Sequence, residues 1–317
     1  MLKAFADWLT YSIFLIAPKT LLANAINFFI YDTIKIFLLL IGIIFVISIV
    51  RSFLPPERVK NILSHKKKFV GNILAALLGI ITPFCSCSAV PLFLGFLRAG
   101  VPLGVTFSFL VSSPMINEVA LVLLFGLFGW KIALMYVSSG LIIAVVSGIF
   151  IGKLKVEKLL KDFVFKSNGS TEEFHENMSW NDRVNYAVKY TIEILNKVWP
   201  YILIGVGLGA WIHGYAPTDF LAKYAGADKW YAVPFATIIG IPLYSNAAGV
   251  IPIVSALSEK GVSMGTTLSF MMAVTALSLP EFMILKTVMK TRLIVLFAAI
   301  VGTGIIFTGY VFNILIK

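Results

Sequence analysis

Apolar residues follow one another in runs close to 20 residues long, and the short segments between them hold most of the lysines and arginines. A helix needs about that length to cross the hydrocarbon core of a bilayer. The pattern predicts an all-α polytopic membrane protein. Residues 5–30 are apolar but interrupted by Pro18 and Lys19, so they either span the membrane or lie in its interface. A span from Thr33 to Val50 follows, then a broken segment 69–97, a second segment 103–127, and a span from Lys131 to Ile151. Residues 153–189 are polar, carry both charge signs and read as a loop. The units are therefore an N-terminal apolar or interfacial helix (1–30), a first membrane unit (31–152), the polar loop (153–189) and a second membrane unit (190–317).

The second unit repeats the first. Sliding the chain by 161 residues aligns 79–110 with 240–271 without a gap and gives nine identities in 32 positions, among them Gly79/Gly240, Pro91/Pro252, Gly100/Gly261, Gly104/Gly265 and Ser108/Ser269. Such duplications are a common way to build transporters. The orientation of the copies depends on the broken segments 69–97 and 230–257. If both cross fully, the copies are parallel, with 12 Lys/Arg inside against 10 outside. If both are re-entrant hairpins, the copies are inverted, with 17 inside against five outside. The positive-inside bias favours inverted repeats whose broken helices meet near the midplane. Against this, a continuous helix over 69–97 would be roughly 40 Å long, enough to cross. In the inverted arrangement loops 51–68 and 153–189 are cytoplasmic, in a multi-pass protein of the cell inner (plasma) membrane.

Composition narrows the function. Apolar residues make up 59% of the 317, charged residues 13%, and mean hydropathy is +0.94, which excludes an ordinary soluble domain. A net charge of +11 would fit a nucleic-acid binder, but its concentration between apolar runs assigns it to membrane topology, so no nucleic-acid partner is predicted. The expected partners are lipid and a small-molecule substrate. No ATP-binding P-loop is present, so transport would be driven by a gradient or a partner. No catalytic residue, cofactor or metal site is predicted, and nothing in the sequence sets the oligomeric state.

Candidate chemistry gathers where the helices break. Lipid cannot satisfy freed backbone groups, so broken backbone at membrane depth lies buried in protein or lines a cavity. The expected helix breaks are Pro83, Pro91 and Pro114 in the first unit and Pro242, Pro252 and Pro280 in the second. The only two cysteines, Cys85 and Cys87, alternate with Ser86 and Ser88, and the stretch from Pro83 to Ser88 aligns with Tyr244-Ser245-Asn246-Ala247-Ala248-Gly249. Two readings of the cysteines stand side by side: small apolar packing residues, or thiols for a soft partner such as trivalent arsenic or a thiophilic metal ion. Glu118 and Glu281 lie in apolar surroundings. Each is either a proton-coupling or cation-binding carboxylate or an acid at a headgroup or helix N-terminus. Asn117 and Asn246 would satisfy broken backbone or contact substrate.

At these residues the chain resembles the ArsP-type (YraQ-like) permease family, predicted permeases that include organoarsenical efflux proteins. The resemblance rests on Thr82-Pro83-Phe84-Cys85-Ser86-Cys87-Ser88, Gly100-Val101-Pro102-Leu103-Gly104, Ser113-Pro114-Met115-Ile116-Asn117 and the second-half stretch Pro242-Leu243-Tyr244-Ser245-Asn246. For members that export trivalent methylated arsenicals it implies thiol ligation, here by Cys85 and Cys87. The reading is an efflux permease in which Cys85, Ser86, Cys87 and Ser88 contact the solute, Asn117, Tyr244, Ser245 and Asn246 complete the site, and Glu118 and Glu281 couple to protons. Its rivals are a permease for an unrelated solute, an intramembrane thiol redox relay, and a membrane subunit that anchors partners through 153–189. For the relay, a Cys85–Cys87 bridge would close a strained ring.

Overall fold

With no water in the hydrocarbon core, apolar segments must pair their backbone groups internally, and the helix does so locally. A computed structural model describes residues 2–14, 16–17, 20–53, 68–82, 86–98, 100–116, 118–154, 156–161, 179–215, 229–243 and 247–316. Among these the chain is helical almost throughout, with one isolated antiparallel bridge, Leu160 to Met289, as its only extended pairing. The helices are α1 (Leu2–Trp8), α2 (Leu21–Phe53), α3 (Lys68–Ile81), α4 (Ser86–Arg98), α5 (Leu103–Met115), α6 (Glu118–Phe128), α7 (Trp130–Lys153), α8 (Trp180–Tyr215), α9 (Ala232–Gly240), α10 (Ala247–Glu259), α11 (Met264–Ala276), α12 (Leu279–Val288) and α13 (Thr291–Leu315).

The 161-residue offset reappears in the elements. Helices α4, α5, α6 and α7 begin at residues 86, 103, 118 and 130, and α10, α11, α12 and α13 begin at 247, 264, 279 and 291. The packing contacts recur too. A Cβ on Gly79 would meet Ser112 and the backbone of Phe109 and Ser113, and one on Gly240 would meet Ala273, Val274 and the Phe270 carbonyl, each 161 residues further on. Gly148 lies against Gly104 and Ser108, and Gly309 against Gly265 and Ser269. Small residues at such crossings let helix backbones approach closely. Both α4–α5 and α10–α11 turn on a glycine in the left-handed region, Gly100 and Gly261, each with φ of 79°.

These contacts fix directions. Asn72 of α3 lies beside Ser108 of α5, and Gly79 further along α3 lies beside Ser112, so α3 runs with α5. The tight turn at Gly100, with the Phe93–Phe107 and Phe96–Phe109 ring contacts, makes α4 run against it. Segment 69–97 is therefore two helices of opposite direction, α3 ending at Ile81 and α4 beginning at Ser86, not the continuous helix its length would allow. The cause is local: Thr82 precedes a proline, which disfavours α backbone, and its hydroxyl bonds back to the Leu78 carbonyl at 2.8 Å. At 14 and 13 residues, the arms are each roughly 20 Å long at the helical rise, less than the core thickness. In the second half α9 runs with α11 by the same logic, since Val233 and Ser269 both flank Gly309 while Gly240 faces Phe270 and Val274. There α9 ends at Gly240 and α10 begins at Ala247.

Pro91 and Pro252 do not break the chain as expected: each is the sixth residue of its helix, α4 or α10. A proline there removes one ladder hydrogen bond, and the adjacent antiparallel helix holds the arm. Pro114 is the last residue but one of α5 and is buried, Pro242 follows α9 in the hairpin turn, and Pro280 opens α12. Segment 103–127 is interrupted at 116–117. The pair α5/α6 bends by 49° and α11/α12 by 41°. Among the described residues, three helices are long and apolar enough to cross alone (within α2, α7 and α13), or five if each bent pair is one span.

Residues 5–30 are not one span. Residues 2–13 form α1 and a wider helical turn, and the Asn27 amide of α2 donates to Asp7 at 2.8 Å, folding that short piece back on α2. Helices α2 and α8 pack along their lengths, with Gly207 near the end of α8 against Phe29 near the start of α2, so they are antiparallel. Gly304 of α13 faces Ile143 of α7, while the chain leaving α7 pairs with the residues entering α13, so this pair is antiparallel as well.

Candidate functional site

The interruptions converge. Tyr136, fully buried in α7, donates its hydroxyl to the Met115 carbonyl at 2.8 Å, at the last residue of α5. The Thr275 side chain, near the end of α11, lies beside the same hydroxyl, and its own hydroxyl donates to the Met271 and Met272 carbonyls. Tyr136 thus sits between the end of α5 and the end of α11. The tip of the second hairpin is joined to the same place, because the Leu279 N–H at the start of α12 donates to the Ile241 carbonyl at 2.9 Å. The first hairpin approaches its own break, where Gly79 packs on Ser112 and Ser113. Finally α4 packs on α12 and α10 on α6, so each hairpin's returning arm lies against a helix of the other half.

Four helices, α4, α6, α10 and α12, begin at these interruptions. The first N–H groups of a helix have no intrahelical partner and its N-terminus carries partial positive charge. Gathered in a low-dielectric setting, such ends can hold a lone-pair donor or an anion. The surroundings are polar for a membrane interior, with Ser112, Ser113, Thr275, Ser278 and Glu281 all buried. Glu281 is fully buried in the first turn of α12, which sets aside the headgroup alternative and places its carboxyl at a positive helix end.

Of the other expected site residues, Ser86, Cys87 and Ser88 form the first turn of α4, and Glu118 is the first residue of α6. Pro83, Cys85, Asn117, Tyr244, Ser245 and Asn246 lie outside the described residues; their neighbours in sequence enter and leave the hairpin tips and the first break. Among the described residues, no three His, Cys, Asp or Glu side chains gather closely enough to hold a metal ion.

Two features of the site escape sequence reasoning. Tyr136 stands where the 161-residue offset puts Phe297 in the second half, so the bridging hydroxyl belongs to one half only. The Ser108 hydroxyl donates to the Asn72 amide oxygen at 2.8 Å, both buried, whereas the position corresponding to Asn72 is Val233. A polar residue in one copy facing an apolar one in the other is the signal that would have marked both.

Residues 21–314 match the model of the ArsP family, described as a predicted permease. A UPF0718 protein of Methanocaldococcus jannaschii is 23% identical over 75% of this chain and 82% of its own length. A Streptococcus mutans protein provisionally named a two-component membrane permease complex subunit is 26% identical over 80% of this chain and 81% of its own. The UPF0718 protein YraQ of Escherichia coli is 22% identical over 83% and 73%. No solved structure matches the chain.

Proposed function

The chain belongs to the ArsP family of predicted permeases, and from that premise we propose that it carries a small thiophilic solute, with trivalent organoarsenicals the leading candidates, outward across the plasma membrane. The observation that carries this reading is that the ends of α5 and α11 meet at Tyr136, with the residue after α9 held to the start of α12. Discontinuous helices of two related halves, meeting inside the protein, are how secondary transporters build midplane sites.

The two halves are read as inverted repeats. Support comes from the matching element boundaries and glycine contacts, and from corresponding helices that run antiparallel, α2 against α8 and α7 against α13. Copies related by an axis along the membrane normal would keep counterparts parallel. In this arrangement Cys85 and Cys87, the latter in the first turn of α4, ligate the solute through sulfur. Ser86, Ser88, Asn117, Tyr244, Ser245 and Asn246 complete the site, and Glu281, with Glu118, exchanges the coupling proton. Loops 51–68 and 153–189 face the cytoplasm. The Streptococcus mutans relative's name raises a second membrane subunit for this chain as well.

The test uses purified protein in sealed proteoliposomes, with phenylarsine oxide as the probe solute and a set pH gradient. Transport by the parent, lost in Cys85→Ser/Cys87→Ser and uncoupled from the gradient in Glu281→Gln, is the expected result. Equal transport by the double cysteine variant would remove thiol ligation from the mechanism and leave a permease for another solute.

A further inference from the structure

Residues 156–161, at the start of the polar loop, are strapped to the corner between α12 and α13. The Lys161 N–H donates to the Val288 carbonyl at 3.0 Å, the Lys290 N–H to the Leu159 carbonyl at 2.9 Å, and the Lys290 ammonium to the Lys158 carbonyl at 3.1 Å. Leu160 and Met289, the paired residues, are both buried. Two basic segments about 130 residues apart in sequence therefore share one place. Lys153 at the end of α7, Lys158 in the strap, Lys286 in the last turn of α12, Lys290 in the corner and Arg292 in the first turn of α13 are all exposed. Lys161 is half-buried beside them, and Glu157 is the one acidic residue among the described residues of the strap.

The patch sits at the end of a lipid-facing strip. Ile142, Val146 and Phe150 recur every four residues along α7 and are exposed at 62%, 55% and 53%. Leu154 continues the strip beside Lys153, and Val295 is exposed one turn into α13. An apolar stripe that ends in a cluster of cations matches an amphiphile with acyl chains and an anionic head. A soluble anion would have no use for the stripe.

We infer that the end of α7, the 156–161 strap and the α12–α13 corner form a docking surface for the phosphate headgroups of anionic phospholipids. Each Lys or Arg near a bilayer surface strengthens attraction to anionic lipid about fivefold. The strap adds what either segment lacks alone, a two-sided cluster anchored to both halves, so a bound lipid braces the connection between them.

The experiment reconstitutes the full chain in nanodiscs of phosphatidylcholine with a minor share of phosphatidylglycerol and counts retained lipids by native mass spectrometry. The variant Lys153→Gln/Lys286→Gln/Arg292→Gln leaves the Lys290–Lys158 contact in place. Phosphatidylglycerol preference is expected to fall about tenfold or more in it and to stay within about twofold of the parent in the control Lys3→Gln/Lys131→Gln/Lys189→Gln. The charge-preserving Lys153→Arg/Lys286→Arg/Arg292→Lys retains the preference. If the triple variant does not fold, Lys286→Gln alone is expected to lower the preference about fivefold. Unchanged preference in the patch variants, or an equal loss in the control, overturns the inference. So does protection of these lysines from acetylation by inorganic phosphate in pure phosphatidylcholine with no preference for phosphatidylglycerol, which would make the ligand a soluble anion.

Discussion

Tyr136→Phe removes one oxygen atom from the junction of the two halves and leaves the rest of the ring in place. The variant has an internal precedent, because Phe297 occupies the corresponding position of α13 and is fully buried, against the rings of Phe107 and Phe282. A packing defect is thus excluded, and the change isolates the hydrogen bond to the Met115 carbonyl. Leaving a buried acceptor without its donor costs about 1–3 kcal/mol in water-soluble proteins. Interhelical bonds measured within membrane proteins average about 0.6 kcal/mol, because the unfolded reference state also finds partners. Met115 ends a helix, where carbonyls lack intrahelical donors, and this favours a value above the membrane average, about 1–2 kcal/mol. Reversible unfolding in mixed micelles, run on Tyr136→Phe, Thr275→Val and the double variant, reads the loss and the coupling together. Because the two side chains are neighbours, a coupling of about 0.5 kcal/mol or more is expected between the two positions. A Tyr136→Phe protein within about 0.3 kcal/mol of the parent, with additive double-variant behaviour, would show that the hydroxyl does not hold the halves together.

The glycine crossings give a paired prediction. Gly148→Ala and Gly309→Ala each force a methyl into Gly104 or Gly265 backbone and are expected to cost about 1–3 kcal/mol in the same unfolding assay. Gly126→Ala, which meets nothing within 4 Å, is expected to be neutral or slightly stabilising. Gly261→Ala is a purely conformational test: its Cβ has open space, but φ of 79° is costly for an L-residue, so a loss of about 1–2 kcal/mol is expected without any new contact.

Membrane class and most of the helical segments were legible in the sequence for physical reasons. Lipid tolerates only long apolar runs, and helix-stopping residues act over one or two positions, so Thr82-Pro83 and Pro280 end or start helices wherever the chain goes next. Prolines misled where context overruled them: Pro91 and Pro252 remain inside α4 and α10, because one lost bond is a small term beside the packing of the whole arm. The polar segment 153–189 read as a loop, yet α8 already begins within it at Trp180, and its described start pairs with residues 288–290, a partner no local pattern could name.

The sequence by itself determined that the chain is a helical membrane protein and where most of its helices lie, since propensity, breakers and apolar length act locally. Only the tertiary structure decided that α3 and α4 fold back as a hairpin, that counterpart helices run antiparallel, and that Tyr136 and the basic strap join the halves. Those outcomes depend on which backbone a glycine lets approach and which distant carbonyl a hydroxyl or N–H reaches, and such contacts exist only once the helices have packed.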